Sequence, residues 1–297
     1  AKGERIAANF VSSFEELKQL QRGVFLLCRD SSSLPAVPDK SVDFVITDPP
    51  YFDNIHYSEL SNFFYVWLKL LLNGHRYFSM DNVPTEREAI VNIGMNKGEE
   101  GYCKLLTAVV KECERVLKDE GMLIFTFHHT KWQAWWTILV AITESGFRVT
   151  DSFPVMSEYK VNPHVRNKQA LDMDLVLVCR KRCVAFEPYS LSLDEAMQRA
   201  IDDLAVEDNN GNKNELFLYF MGELLKAASA VWDNQKVTYE WFYEALKRFD
   251  ELVTAKVEDT NENKSPENTG IIQLPVSYTH LRAHETRHDL VCRLLLE

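Results

Sequence analysis

The sequence predicts an α/β domain, a sheet of short apolar strands interleaved with amphipathic helices, followed by an all-helical region. Three observations carry this. Largely apolar runs recur at Val24 to Cys28 (VFLLC), Asp43 to Thr47 (DFVIT) and Met122 to Phe127 (MLIFTF). Helical stripes separate them, and strand signals vanish after Leu191. Continuous rather than alternating runs suit strands covered on both faces, as in a parallel sheet.

Residues 1–22 read as a helical segment leading to the first strand, which Gly23 and the polar Arg29 to Ser33 bound. The second strand, Asp43 to Thr47, ends on two prolines. Leu60, Phe63, Phe64, Trp67, Leu68 and Leu71 then fall on one face of a helix. A second stripe runs from Tyr102 to Leu117 and is stopped by Gly121, ahead of the strand from Met122. Trp132 to Glu144 is a third helix, with Gly146 placed as its C-terminal cap. Phe147 to Val155 and Asp174 to Cys179 read as a terminal strand pair joined by a polar loop. The sheet-forming part therefore spans 23–183, and amphipathic patterns over 184–257 form a separate helical subdomain. Residues 258–275 read as a polar linker. Val276 to Glu297 resembles a translated sequencing-adapter read-through and is set apart from the fold as non-native.

Composition narrows the classes of function. Lys and Arg number 33 against 44 Asp and Glu, a net charge of -11, so a phosphate-binding surface must be local rather than global. Lys160, His164, Arg166 and Lys168 form one basic patch and Arg180-Lys181-Arg182 another, each with a solvated surface as the plainer reading. No apolar run approaches the roughly 18 residues that cross a bilayer, and no secretory signal opens the chain. Six cysteines lack zinc-site spacing. Cys28, Cys103, Cys113 and Cys179 sit in apolar segments as buried free thiols, which fits a reducing, cytoplasmic setting with no membrane partner.

Asp48-Pro49-Pro50-Tyr51 stands directly after the strand at Asp43 to Thr47 and is the segment that carries chemistry. Two prolines fix φ and donate no N–H, which leaves carbonyls free to be aimed outward. A carboxylate and a neighbouring carbonyl in that position suit the N–H groups of an exocyclic base amine, whose lone pair is otherwise delocalised into its ring. Asp48 and the Pro49 carbonyl supply such a pair, and Tyr51 offers a face for an extruded base. The competing reading is a strand-to-loop turn stiffened by prolines.

The segment SVDFVITDPPYFDNIHYSELSNFFYVWLK resembles the signature of adenine-specific DNA methyltransferases, and more narrowly the large zinc-ribbon-associated adenine-specific methylases. The resemblance continues through ECERVLKDEGMLIFTFHHTKWQAWW, GFRVTDSFPV and DLVLVCRKR, covering residues 24–182 in order. It implies the class I, Rossmann-like fold, S-adenosylmethionine as cofactor and DNA as partner, with restriction or phage-defence systems as the setting. It also implies roles for Asp48, Pro49, Pro50 and Tyr51 in catalysis, with Asp48 near the cofactor too. Phe52, Asn54, Tyr57, His128 and His129 are expected on the substrate side, and Asp30 on the cofactor's adenine. Asp30 reads equally as a turn former before three serines, and the histidines as packed or surface residues.

One departure is evident. No Gly-rich cofactor loop of the Asp-Pro-Phe-x-Gly-x-Gly kind occurs, so the first two strands of the implied sheet are expected on a preceding N-terminal half. N4 of cytosine, an RNA base and a protein amide remain as alternative substrates. Asp rather than Asn or Ser at position 48 favours adenine among them. A non-catalytic nucleic-acid-binding subunit is the reading from another class, which the intact quartet disfavours.

Overall fold

The computed structural model describes residues 9–72, 74–156, 173–183, 195, 213–232 and 237–261. It is a mixed α/β structure containing two sheets. The smaller pairs β1 (Asn9–Val11) in parallel with β2 (Gly23–Phe25) around α1 (Phe14–Lys18). Ser13 caps that helix by accepting from the Glu16 N–H at 3.2 Å. A strand thus stands inside the segment read as helical, and the strand expected over 24–28 stops at Phe25, leaving Leu26 and Cys28 exposed.

The larger sheet has the order β3-β4-β6-β5. Strands β3 (Val42–Thr47) and β4 (Leu117–Phe127) are parallel. Strand β6 (Met173–Lys181) lies between β4 and β5 (Phe147–Met156), antiparallel to both. The expected terminal hairpin is present. Helices α2 (Tyr57–Leu71), α3 (Glu99–Val116) and α4 (Trp132–Glu144) connect the strands, and α5 (Lys213–Ala230) and α6 (Tyr239–Asn261) follow. No helix among the described residues is long and apolar enough to cross a membrane.

Gly121 does not separate helix from strand, because β4 begins at Leu117 and the glycine lies within it. The register with β3 shifts there, and a Cβ on Gly121 would sit 3.0 Å from the Asp43 carbonyl oxygen. The glycine serves the close approach of two backbones. Gly146 is the expected cap: its φ is +84° and its N–H reaches the Thr143 carbonyl at 3.1 Å.

The larger sheet is covered on one face. Leu123, Phe125, Phe127, Leu175, Leu177 and Cys179 are buried in one core with residues of α3, α4, α5 and α6. The last two helices are part of this core and do not stand apart: Ser229 Oγ on α5 accepts from the Val149 N–H at 3.0 Å, and Trp132 meets Tyr239 of α6. On the opposite face Phe44 is 50% exposed, Ile46 60% and Phe153 54%. The apolar runs therefore do not mark strands buried on both sides here. Helix α2 departs further from expectation, since its whole stripe from Leu60 to Leu71 is exposed, Trp67 to 58%.

Candidate active site at the tip of strand β3

The parallel register pairs Thr47 with Phe125, so Asp48 leaves the sheet beside Thr126. Thr126 Oγ1 and the Tyr51 hydroxyl both donate to Asp48 Oδ1, the latter at 2.5 Å, and the two hydroxyl oxygens lie 3.0 Å apart. Asp48 is exposed, and its Oδ2 accepts no hydrogen bond among the described residues. The Tyr51 ring packs edge-on against Phe127 and His128, with centroids at 5.3 and 4.7 Å. Burial, with the hydrogen bond to Asp48, pushes the phenol's pKa well above its ordinary value and keeps it a donor.

The two proline carbonyls have different fates. That of Pro50 accepts from the Tyr102 hydroxyl at 2.9 Å and from the Phe52 N–H at 3.2 Å. That of Pro49 accepts nothing among the described residues. The turn thus offers two unpartnered acceptors, Asp48 Oδ2 and the Pro49 oxygen, one residue apart.

Beyond Tyr51 the loop is tightly held. Phe52 has φ +52°, a left-handed backbone that bulky side chains rarely adopt. Its buried ring sits against Tyr102 and His129, each at 5.3 Å, and its carbonyl accepts from the Val91 N–H at 2.8 Å. Asp53 is gripped by His129 Nε2 at 3.0 Å and by the Lys131 ammonium. The Lys131 N–H donates to His129 Nδ1 at 2.9 Å, so the proton of this imidazole is on Nε2 and points at Asp53. Burial acts to raise the Asp53 carboxyl, but the hydrogen bonds from His129 and Lys131 and the Lys131 charge outweigh it and hold the group at about 2.

Residues 42–287 match the family model for N6/N4 DNA methylases, starting at the first residue of β3. The chain belongs to this DNA methylase family. Methylases of this family transfer a methyl group to an exocyclic amino group of a DNA base and normally use S-adenosylmethionine. No curated protein matches the chain. Two crystal structures assigned as a DNA modification methylase from Thermus thermophilus, one a selenomethionine derivative, align with 66% of it at 14% identity, with TM-scores of 0.28 and 0.29. The chain spans 63% and 64% of their lengths.

Within this DNA methylase the predicted site residues divide. Asp48, Pro49, Pro50 and Tyr51 form one continuous turn with Thr126 and Tyr102 behind it. Asn54 is exposed, and Tyr57 opens α2 half-buried. His128 touches Tyr51 and turns its Nδ1 to Asp174 on the neighbouring strand, leaving Nε2 without a partner among the described residues. Phe52 and His129, expected on the substrate side, face inward. Phe52 fills the core beneath the loop, and both nitrogens of His129 are spent on Asp53 and Lys131. The basic patch from Lys160 to Lys168 lies outside the described residues.

Asp30 makes a turn. Its Oδ1 accepts from the Ser32 hydroxyl at 2.7 Å and from the Ser32 N–H at 2.9 Å, which lowers its carboxyl pKa, and Arg87 stands 3.8 Å from Oδ2. It follows β2, whose sheet is not hydrogen-bonded to the one that carries Asp48. The sequence contains no Gly-rich loop of the Asp-Pro-Phe-x-Gly-x-Gly kind to set beside it.

Sequence reasoning misses Thr126, Tyr102 and Asp174. Thr126 is the one polar residue in MLIFTF and so carries a signal, whereas Tyr102 is hidden within an apolar stripe. Asp174 meets His128 only through strand pairing across 46 residues, which no local pattern reveals.

Proposed function

We propose that this DNA methylase methylates N6 of adenine, acting on a base swung out of the DNA duplex. The observation that carries the reading is the pair of acceptors at the β3 tip, Asp48 Oδ2 and the Pro49 carbonyl, that have no partner among the described residues, while Asp48 Oδ1, the Tyr51 hydroxyl and the Pro50 carbonyl are engaged. An amine bound there donates both its N–H groups, which draws its nitrogen lone pair out of conjugation and toward a methyl carbon. Because the acceptors are held beforehand, little reorganisation is needed as the nitrogen becomes tetrahedral. A carboxylate at position 48, in place of the serine expected for cytosine enzymes, supports adenine.

Tyr51 and His128 stand on the substrate side of this turn. The Tyr51 ring gives the extruded base an aromatic wall, and His128 is oriented by Asp174 with Nε2 turned to whatever enters. The chain's acidic balance means that DNA affinity must come from local basic groups and falls steeply with salt.

The test is tritiated methyl transfer from S-adenosylmethionine to unmethylated DNA by the protein joined to the cofactor-binding half expected before it, with the product nucleosides separated by chromatography, for the wild type and Asp48→Ala. N6-methyladenine from the wild type and no product from the variant are expected. N4-methylcytosine would overturn the base assignment, and full activity in the variant would overturn the grip assigned to Asp48.

A further inference from the structure

We propose that Thr126 is a positioning residue for Asp48: with the Tyr51 hydroxyl it occupies one carboxylate oxygen completely, and so fixes the other outward as the amine acceptor. The inference rests on the reading of Asp48 given above and adds a residue that has no contact with substrate of its own.

The proton count is decisive. An ionised carboxylate only accepts, and each of the two hydroxyls has one proton to give. Thr126 gives its proton to Oδ1, the Tyr51 proton lies within reach of both Oδ1 at 2.5 Å and Thr126 Oγ1 at 3.0 Å, and no donor among the described residues reaches Oδ2. Two hydroxyls that merely needed partners could have taken one oxygen each, which would have left neither oxygen with its full acceptor capacity facing out. The Tyr51 hydroxyl and Thr126 Oγ1, 3.0 Å apart, are themselves within hydrogen-bonding distance, so the two hydroxyls and Oδ1 form one closed cluster on the inner side of the carboxylate.

Geometry explains why a threonine suits the position. The terminal torsion of an aspartate is broad and roughly two-fold, so a lone carboxylate at a strand tip turns easily. A β-branched side chain is stiff about χ1, and a strand fixes its direction. Thr126 stands one residue before β4 ends, on the half-open face and directly across from Val176. Its hydroxyl is therefore aimed by the sheet itself. Tyr51 belongs to the same turn as Asp48, whereas Thr126 reaches Asp48 from a different element, 78 residues along the chain.

The experiment compares Thr126→Val, Thr126→Ser and Asp48→Ala with the wild type in the full chain, by steady-state kinetics and by crystal structures of the wild type and the valine variant. Thr126→Val, nearly isosteric, should lower kcat roughly tenfold to a hundredfold while KM for DNA is unchanged, and Thr126→Ser should restore most of the loss. In the valine variant's crystal structure the Asp48 carboxylate plane should be rotated. A carboxylate held in the wild-type plane without the Thr126 hydroxyl overturns the inference, whatever the turnover. Wild-type kcat in Thr126→Val beside an inactive Asp48→Ala also overturns it and leaves the role of Asp48 standing. Full activity in Asp48→Ala removes the reading of Asp48 and the inference together.

Discussion

The buried hydroxyl of Tyr102, near the start of α3, donates to the carbonyl of Pro50 at 2.9 Å and so ties that helix to the turn from Asp48 to Tyr51. Burial raises the phenol's pKa well above its ordinary value, so the hydroxyl keeps its proton and its role as donor at neutral pH. Tyr102→Phe removes the donor and keeps the ring. The expected result is a loss of about 1 kcal/mol in stability by urea unfolding. A larger fractional fall in kcat should accompany it, because the Pro50 carbonyl is released beside the Pro49 acceptor.

The Asp53 clamp gives a pH dependence of known sign. Its carboxyl titrates at about 2 in the folded protein against an ordinary 3.8, so its contribution is fully present above about pH 4 and is lost as pH falls through about 2. The side chain is 28% exposed. The wild type should exceed Asp53→Asn by about 2 kcal/mol near neutrality, and the gap should close toward pH 2. Urea unfolding at several pH values measures it, and a gap independent of pH would rule out the charged clamp.

Gly222, within α5, presses against β5. A Cβ there would come within 2.9 Å of Ser152 Cβ, so the gain in helix propensity of about 1 kcal/mol from Gly222→Ala is overridden. The expected net loss is about 1–3 kcal/mol. Ser152→Gly in the same chain should recover part of it, which thermal melts of the single and double variants check.

The exposed stripe of α2 predicts a different pattern. Phe63 and Trp67 bury little surface, so Phe63→Ser with Trp67→Gln should leave stability within about 0.5 kcal/mol of wild type. Binding of a hydrophobic dye should fall at the same time. A large stability loss would mean that these side chains are packed in solution.

Much of this is legible in the sequence. The quartet at Asp48 to Tyr51 announces its place, a turn directly after β3. Helices α3 and α4 and the cap at Gly146 follow from periodicity. Periodicity misleads where it reports only that residues are apolar: it cannot say that the α2 stripe is left uncovered or that one face of the sheet stays half-open. Gly121 reads as a helix stop, although a helix can end at Val116 by passing straight into a strand. Phe52 and His129 owe their expected roles to adjacency to the motif. In fact a single left-handed residue turns the chain inward there, and nothing local marks that turn.

The bonds that anchor the Asp48–Asp53 loop to the rest of the fold reach far along the chain: Tyr102 to Pro50 spans 52 residues, His129 to Asp53 spans 76 and Thr126 to Asp48 spans 78. Closing such long loops costs entropy before any contact is rewarded. The turn therefore matures late, once α3 and β4 are already docked, and it is among the first parts to slacken when either one loosens. Mild heat or denaturant should silence the chemistry while most of the secondary structure still stands.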